Sequence, residues 1–513
     1  MLERRLTVVV RADASVSIGS GHVMRCLTLA EAARTRGAEV AFVCQTYPGN
    51  LNDLISRAGF VVHKIPVAAT GHVKRFPDAA QQADADATIE AVQGKRIDWL
   101  VVDHYGLDRT WESRMRPYAR KLMVIDDLAD RRHDCDLLLD QNFHLSGAFR
   151  YDGLVSPTCT RLLGPRYALL RPEFADARAK MKPRAGPVRR VLVFFGGSDP
   201  ANVTGRALEA LSAPEFGHLD VDAVVGITNP HRADIERQIA ARPRTTLHVQ
   251  VDNIAQIMAR ADLAVGAGGS TTWERLSLGL PSLVVTIAEN QSRLTEDLHT
   301  EGLLTWIGGV DTVGAREIRQ ALDDAIDRSA KHAAITKGME LVPGDGASQV
   351  ANLLQHGVPP KEWVVRTATA SDCELYWHWA NDPEVRRNSF HQEPIAWEDH
   401  LKWFHTKLAD SAATLLLIES ESGPIGQVRF EGQGANFIVG FLLGRQFRGL
   451  GLGHQLLARA LATFKQTRSF TLIGEVRVEN HASATVFQKL GFTEDSSARP
   501  NTRRFQMRVS AST

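Results

Sequence analysis

Cysteine is scarce in this chain of 513 residues, and the five that occur do not form a recognisable pattern. They are widely spaced and contain no C-x-x-C pair: Cys26, Cys44, Cys135, Cys159 and Cys373. An odd number at such spacing argues against a disulfide framework and against a structural zinc site. A reducing compartment fits this composition best, so we expect a cytoplasmic protein.

Long apolar runs and an excess of one charge sign are also missing. Nothing approaches the 18 or so consecutive apolar residues of a membrane span, and the apolar part of the N-terminal MLERRLTVVVRAD is too short for a signal sequence. The formal net charge is only +1. We therefore expect neither a membrane nor a nucleic-acid partner, although local sites can still hold small anions.

What the sequence does contain is a regular alternation of strand and helix patterns. Buried-strand runs such as LTVVVRAD, AEVAFVC and RVLVFFGG alternate with helical stretches, which predicts α/β folding around parallel sheets. KPRAGPVRR and HGVPPKE have the composition of linkers. After the second linker, ATLLLIES, GPIGQVRFEG and NFIVGFLLG resemble a meander. We predict two Rossmann-like, doubly wound domains (1–183 and 184–356), a linker (357–362) and a mixed α/β domain (363–513).

A first chemical site is predicted where SIGSGHVMRC follows the first strand. Gly21 belongs to a flexible turn, and a helix begins near His22. The free N–H groups at a helix N-terminus attract anions and disfavour an imidazolium ion, so His22 suits a general base. Arg25, one turn further on, can pair with an anion. The same residues are explained equally well if His22 simply stands at the start of the helix and the glycines simply form the turn before it.

Polar residues follow other strands of this region. Asp103 and Tyr105 come after WLVV, at the end of a strand where open α/β sheets place ligand contacts, although loop polarity alone explains them as well. Two glycine-rich turns and a later AENQ segment can present N–H and polar groups to a diphosphate and a ribose, and tight strand–helix packing is the other explanation. Their candidate residues are Gly197, Gly269, Ser270, Thr271, Glu274 and Asn290.

Two D-x-D patterns, Asp84/Asp86 and Asp134/Asp136, are the kind of pair that a metal-dependent sugar transferase uses. The first lies in an Ala-rich helical stretch and the second in a charged turn. We interpret both as solvated polar positions and expect no metal.

Five motifs in order, GSGHVMRCLTLA, VVDHYGLD, GPRYALLRPEF, FFGGSD and GAGGSTTWE, resemble the UDP-sugar hydrolases of pseudaminic acid biosynthesis, whose fold is similar to GT-B glycosyltransferases. The resemblance covers about residues 5–355 and implies hydrolysis of UDP-2,4-diacetamido-2,4,6-trideoxy-β-L-altropyranose. It implies that His22 activates the water, that Tyr105 helps to hold the substrate, and that the nucleotide is held by Ser270, Thr271, Glu274 and Asn290. A base plus a cradle for the leaving diphosphate needs no metal.

The C-terminal region contains a second glycine-rich segment, RQFRGLGLGHQLL, before a helix. Its glycines allow close approach of a pyrophosphate, and its arginines add positive charge. With VRVENHASATVFQKLGF further on, it resembles the GNAT N-acetyltransferases over about residues 363–511. That resemblance implies acetyl-CoA as the donor, and a contact of Asn480 with the pantetheine arm. The cofactor-binding candidates are Gln446, Arg448, Gly449, Gly451, Gly453 and Asn480.

The acid and base of this second site are less well defined. Many GNAT members have a tyrosine four residues after the helix serine, but Phe487 stands there in this chain, and a ring without a hydroxyl cannot donate a proton. Glu475 is a candidate base for the acceptor amine, or simply an exposed strand residue. WHWANDPEVRRNSF resembles the GNAT subgroup that acetylates a nucleotide-linked amino sugar, which offers Trp377, Arg386 and Asn388 as substrate contacts. A capped amphipathic helix is the alternative.

The two resemblances imply consecutive reactions on one UDP-linked amino sugar. The acetyltransferase would acetylate N4 of UDP-4-amino-4,6-dideoxy-N-acetyl-β-L-altrosamine, and the hydrolase would then release UDP. Two alternatives stay open: the N-terminal part is a glycosyltransferase, or one of the two parts binds its ligand without catalysing a reaction.

Overall fold

The structure is a computed structural model in which the chain forms two compact units, Met1–Gln355 and His356–Thr513. The structure describes the backbone but not the side chain of six residues: Asn290, Asp327, His332, Ala333, Gln433 and Gln446. The structure describes residues 5–67, 75–92, 97–145, 149–181, 184, 186–327, 332–357, 362–420, 423–448, 451–464, 469–495 and 499–510.

The first half of the first unit is a seven-stranded parallel sheet in the order β3-β2-β1-β4-β5-β6-β7. Its strands are nearly continuous apolar runs because helices cover both faces. The strands are β1 (Thr7–Ala12), β2 (Glu39–Gln45), β3 (Val61–Ile65), β4 (Ile97–Asp103), β5 (Ala119–Ile125), β6 (Leu137–Asp140) and β7 (Thr160–Leu163). The helices are α1 (Gly21–Arg34), α2 (Asn52–Arg57), α3 (Asp78–Ala91) and α4 (Arg109–Met115), and α5 (Pro172–Lys180) follows β7 but packs on the second half.

The second half repeats this design with a six-stranded parallel sheet in the order β10-β9-β8-β11-β12-β13. Its strands are β8 (Arg190–Phe194), β9 (Asp220–Val225), β10 (Thr245–Val249), β11 (Leu263–Ala267), β12 (Ser282–Thr286) and β13 (Thr305–Gly309). Its helices are α6 (Val203–Leu211), α7 (Arg232–Ala241), α8 (Ile254–Arg260), α9 (Thr271–Ser277), α10 (Glu289–Thr300), α11 (Ala315–Asp327), α12 (His332–Leu341) and α13 (Gly346–His356).

The chain crosses between these two halves at two places. Before the predicted linker, Leu170 and Phe174 already pack in the apolar core of the second half. At the other end, α13 returns to the first half, where the indole of Trp99 donates a hydrogen bond of 2.7 Å to the carbonyl oxygen of Leu354. Packing contacts therefore cross the boundary predicted between residues 183 and 184, and the domain limits stay a prediction.

The second unit is a seven-stranded mixed sheet in the order β14-β15-β16-β17-β18-β20-β19. The antiparallel pairing of β15 with β16 and of β16 with β17 confirms the predicted meander. The strands are β14 (Val364–Thr367), β15 (Ala413–Ser420), β16 (Gly423–Gln433), β17 (Asn436–Leu443), β18 (Phe470–Arg477), β19 (Thr493–Asp495) and β20 (Thr502–Val509). The helices are α14 (Cys373–Ala380), α15 (Pro383–Asn388), α16 (Trp397–Ala409), α17 (Gly453–Thr463) and α18 (His481–Lys489).

One of the interpretations made from the sequence needs correction. Asp84 is not solvated: it is fully buried and forms an ion pair of 2.6 Å with Arg11, which is equally buried and also pairs with Asp13. The buried guanidinium of Arg11 is neutralised by this carboxylate, and the D-x-D pattern alone does not show that Asp84 has such a partner. Cys135 and Cys159 are both free cysteines, and their sulfur atoms lie 3.6 Å apart in the core of the first half.

Candidate active sites

The first site is built where α1 begins beside the end of β4. The Nδ1 atom of His22 donates a hydrogen bond of 2.6 Å to Oδ1 of Asp103, the last residue of β4. His22 is 7% exposed, and among the described residues its Nε2 atom has no hydrogen-bond partner in the protein. The ring is thus oriented through one nitrogen, which leaves the other available to a proton in transfer.

Asp103 differs from the prediction that it contacts substrate. It is completely buried, and Arg25 donates to both of its carboxylate oxygens at 2.6 Å, so it lies behind His22 and positions it. Burial opposes ionisation of this carboxyl, but the charges of Arg25 and His22 prevail and hold its pKa well below the usual range.

Tyr105 lies against the other side of the imidazole. Its ring meets the ring of His22 edge-on, with 4.6 Å between centroids, and its hydroxyl donates to Asp127 at 2.8 Å. Burial and then the negative charge of Asp127 raise the pKa of Tyr105, so the phenol stays protonated. Asp127 was missed from the sequence, although the acids that end KLMVIDD are the signal that would have found it.

A cavity of about 250 Å³ lies between the two halves of the first unit. Six of the predicted residues line it: Gly21, Arg25, Gly197, Ser270, Thr271 and Glu274. His22, Asp103 and Tyr105 are not lining residues; they lie beside the cavity and connect to it through Gly21 and Arg25. Gly269 immediately precedes the lining residue Ser270, and the side chain of Asn290 lies outside the described residues.

The lining residues that were not predicted include Arg171, Gly226 and Gln250. Gly226 closes the cavity wall because its N–H donates to the carbonyl oxygen of Gly197 at 2.9 Å. A Cβ atom at Gly226 would lie 2.5 Å from that oxygen, so only glycine allows this approach. Arg171 lies 3.4 Å from the carboxylate of Glu274, whose pKa burial raises although Arg171 opposes the shift.

In the second unit, the sheet opens between two of its strands. β17 and β18 pair in parallel from Asn436 to Ile438 only, and the described register contains no pairs beyond that point. The backbone groups after the split are free to pair with an extended ligand. α17 begins close by, at Gly453, and Gly451 before it has a φ of 71° that favours glycine. Gly449 and the side chain of Gln446 lie outside the described residues.

Two of the predicted cofactor contacts already have bonds within the protein. The guanidinium of Arg448 pairs with Asp382 at 2.6 Å and donates to the carbonyl oxygen of Leu443. The side chain of Asn480 caps α18 by accepting from the N–H of Ser483 at 3.1 Å. Their roles toward acetyl-CoA stay a prediction.

The predicted sugar-nucleotide contacts divide between internal and exposed positions. The indole of Trp377 donates to the carbonyl oxygen of Ile395, and the guanidinium of Arg386 donates to three backbone carbonyls and to the Ser389 hydroxyl. Both residues therefore have partners within the protein around α15 and the loop after it, and their contact with a substrate stays a prediction. Asn388, the last residue of α15, is exposed.

The candidate acid and base positions of this unit are clear in the structure. Glu475 lies on β18 beyond the split, partly exposed and 3.4 Å from Arg499. Phe487 is 1% exposed and stacks on Phe505 in the core. The described residues contain no group of three or more His, Cys, Asp or Glu side chains placed to hold a metal ion. None of the helices described combines the length and apolar character that a membrane crossing requires.

Comparisons with known proteins identify the class of each unit. Residues 363–493 match the family model described as an acetyltransferase (GNAT) domain. The crystal structure of MurG from Acinetobacter baumannii has a TM-score of 0.50 with 13% sequence identity, over 69% of this chain and 99% of that one. The first unit therefore has the GT-B-like fold, and the second is a GNAT domain.

Two relatives define the combination more closely. The UDP-2,4-diacetamido-2,4,6-trideoxy-beta-L-altropyranose hydrolase of Campylobacter jejuni is 23% identical over 58% of this chain and 97% of its own length. An uncharacterized protein of Methanocaldococcus jannaschii, MJ1062, is 22% identical over 97% of this chain and 98% of its own. The chain is a fusion of a part homologous to that hydrolase with a GNAT domain.

Proposed function

We propose that the chain performs two consecutive steps on a UDP-linked amino sugar of the pseudaminic acid type. The GNAT domain transfers an acetyl group from acetyl-CoA to N4 of UDP-4-amino-4,6-dideoxy-N-acetyl-β-L-altrosamine. The GT-B-like unit hydrolyses the product, UDP-2,4-diacetamido-2,4,6-trideoxy-β-L-altropyranose, to UDP and the free sugar. The observation that carries the hydrolase proposal is the His22–Asp103 pair beside a cavity lined by both halves.

The geometry of the first site supplies what hydrolysis requires. Asp103 fixes His22 with Nδ1 protonated, so Nε2 accepts a proton from water as the water oxygen bonds to C1 of the sugar. The bond between C1 and the diphosphate oxygen breaks, and its electron pair leaves with UDP. UDP is a good leaving group at neutral pH, so one base and donors to the diphosphate are sufficient.

The second site supports acetyl transfer with one group undefined. The amine nitrogen bonds to the thioester carbon, the carbon–sulfur bond breaks, and CoA leaves as a thiolate. Because the pKa of an ordinary thiol is near 8.5, the thiolate can leave without being protonated first. Glu475 is our proposed base for the amine proton. Phe487 cannot protonate the thiolate, so we assign no side chain to that step.

A coupled assay tests both activities and their order. The UDP-linked 4-amino sugar is supplied with and without acetyl-CoA, and acetylated intermediate and free UDP are followed by mass spectrometry. We expect UDP release to depend on acetyl-CoA, and the His22→Ala variant to stop at the acetylated UDP-sugar. His218→Ala is the control, because that histidine is exposed and hydrogen-bonds to the carbonyl oxygen of Glu215, far in sequence from the residues of the site.

Other outcomes would select the alternatives. Transfer of the sugar to an acceptor hydroxyl, retained in His22→Ala, would identify a glycosyltransferase instead. Hydrolysis of pre-acetylated substrate without any acetyl transfer would leave the second unit as a CoA-binding domain.

A further inference from the structure

The motif GPRYALLRPEF has no role in the chemistry described so far, yet it contributes a charged residue to the cavity. Arg171 stands directly before α5, and its side chain passes over the ring of Phe174, 5.4 Å from the centroid. Leu170 and Phe174 are buried in the core of the second half. The backbone of Arg171 is therefore fixed to the half that carries Ser270, Thr271 and Glu274.

The charges around the cavity make Arg171 distinctive. The charged residues that line it, among those described, are Arg25, Arg171 and Glu274. Arg25 is held by two carboxylates, with bonds of 2.6 Å to Asp103 and 3.2 Å to Asp127. A diphosphate linked to a sugar carries two negative charges, and the lining carboxylate of Glu274 adds a third. A cation that is not already paired within the His22 network is therefore needed to balance the charge of the diphosphate. Arg171 is the described lining cation that is not tied to the His22 network.

The contacts of Arg171 are also loose enough to change. Its Nη2 atom lies 3.4 Å from Glu274 and 3.0 Å from Glu173, and its side chain is 35% exposed. Charge-assisted bonds of full strength measure about 2.7–2.9 Å, so both contacts of Arg171 are longer than the 2.6 Å bonds between Arg25 and Asp103. One carboxylate oxygen of Glu274 contacts Arg171, which leaves the second oxygen to accept hydrogen bonds from ribose hydroxyls.

We propose that Arg171 binds the diphosphate of the UDP-sugar and stabilises the negative charge that leaves with UDP. In the reaction above, the electron pair of the broken C1–O bond goes to the terminal diphosphate oxygen, and the guanidinium donates hydrogen bonds to that group. Glu274 is the positioning residue that holds the guanidinium at the cavity wall. The role in catalysis depends on the proposed hydrolase function, whereas the role in diphosphate binding does not.

Calorimetric titration of the full-length protein with UDP and with uridine tests the binding role. Arg171→Gln should weaken UDP binding by about 10- to 100-fold, the range for a lost hydrogen bond to a charged group, and leave uridine binding within about 2-fold. Arg171→Lys should retain part of the UDP affinity, because it keeps a charge but loses the fork. Arg237→Gln, a surface arginine paired with Asp234, is the matched control and should change neither.

The outcomes separate the alternatives. An equal loss of UDP and uridine affinity in Arg171→Gln would overturn the proposal, since Arg171 would then act only by holding Glu274. Unchanged UDP binding would overturn it as well. Thermal unfolding of each variant shows whether a loss reflects folding, and Arg171→Lys supplies the second variant in that case.

Hydrolysis by the same variants tests the catalytic role. We expect kcat to fall in Arg171→Gln and to recover in part when guanidinium ion is added in solution. If the wild-type protein binds UDP through Arg171 but hydrolyses no UDP-sugar, the proposed function fails and the binding site stands. If the wild-type protein hydrolyses and Arg171→Gln is unimpaired, the proposal about Arg171 fails and the function stands.

Discussion

At the residue scale, Asp103 orients the imidazole of His22 without lining the cavity. Asp103→Asn keeps the size of the side chain but no longer guarantees an acceptor at Nδ1. We expect kcat for hydrolysis to fall by roughly 10²- to 10⁴-fold with little change in KM. Asp127→Asn is the control, since it contacts Tyr105 and Arg25 but leaves the His22–Asp103 bond intact. An equal loss in both variants would contradict this assignment.

The buried charges around Arg11 predict how stability depends on pH. Burial opposes ionisation of Asp13 and Asp84, but Arg11 holds their pKa values below the ordinary value of 3.8. Because the folded values are depressed, their contribution to stability is complete above about pH 4 and is lost as the pH falls through the folded values.

Arg11→Met tests this linkage by leaving two carboxylates without their cation. We expect the free energy of unfolding to drop by about 3–5 kcal/mol at neutral pH, the usual cost of breaking a buried ion pair. The difference from wild type should shrink below pH 4, as the carboxyls become protonated. Urea unfolding between pH 3 and pH 7 measures it, and a difference independent of pH would contradict the assignment.

Phe487 provides a test at the residue scale in the second unit. The Cζ atom of its ring faces Gly474, where an added Cβ would overlap the ring. Phe487→Tyr would push a hydroxyl into this contact, so we expect destabilisation of about 1–3 kcal/mol and no gain in acetyl transfer. The exposed Phe390→Tyr is the control. Faster acetyl transfer with unchanged stability would show that the ring tip reaches the thiolate.

At the scale of elements, the approach of two loops forms the wall of the first cavity. Gly226→Ala places a Cβ against the carbonyl oxygen of Gly197, so the loops after β8 and β9 must separate. We expect UDP affinity to fall at least about 10-fold, since a shift of the wall misplaces the backbone donors that we propose for the diphosphate. Gly309→Ala, at the end of β13, is the control because its Cβ would meet only Thr286 at 3.8 Å. Unchanged affinity in Gly226→Ala would contradict this role of the wall.

The elements also show what sequence patterns can and cannot predict. The periodicity of apolar residues and the order of the elements were sufficient to predict the two parallel sheets and the meander, because the residue pattern of a single strand indicates which of its faces are buried. The glycine-rich turns and His22 were found because their backbone chemistry is local. Asp84, Asp127 and Arg171 were not found as partners, since each meets residues at least 22 positions away in sequence. Which charged side chains become neighbours is decided by how strands and helices pack.

For the whole molecule, the two proposed activities predict an effect of their covalent connection. A protease site inserted in the predicted linker, at residues 358–361, allows the purified chain to be cut close to the boundary between the two compact units. We expect each separate activity to keep its rate after cutting, while the lag before UDP release lengthens at low enzyme concentration, because tethering raises the local concentration of the intermediate. Identical lag times in cut and intact protein would contradict an advantage of the fusion.

The double crossing within the first unit has a mechanical consequence. A body joined to another at one point can turn about three axes, but a body joined at two points turns freely only about the line between them. The two crossings, at Leu170–Phe174 and at the α13 contact with Trp99, are such points. We therefore expect any opening of the halves to be a rotation about the line through these two crossings, so that residues near the line keep their spacing while the far rim of the cavity moves most.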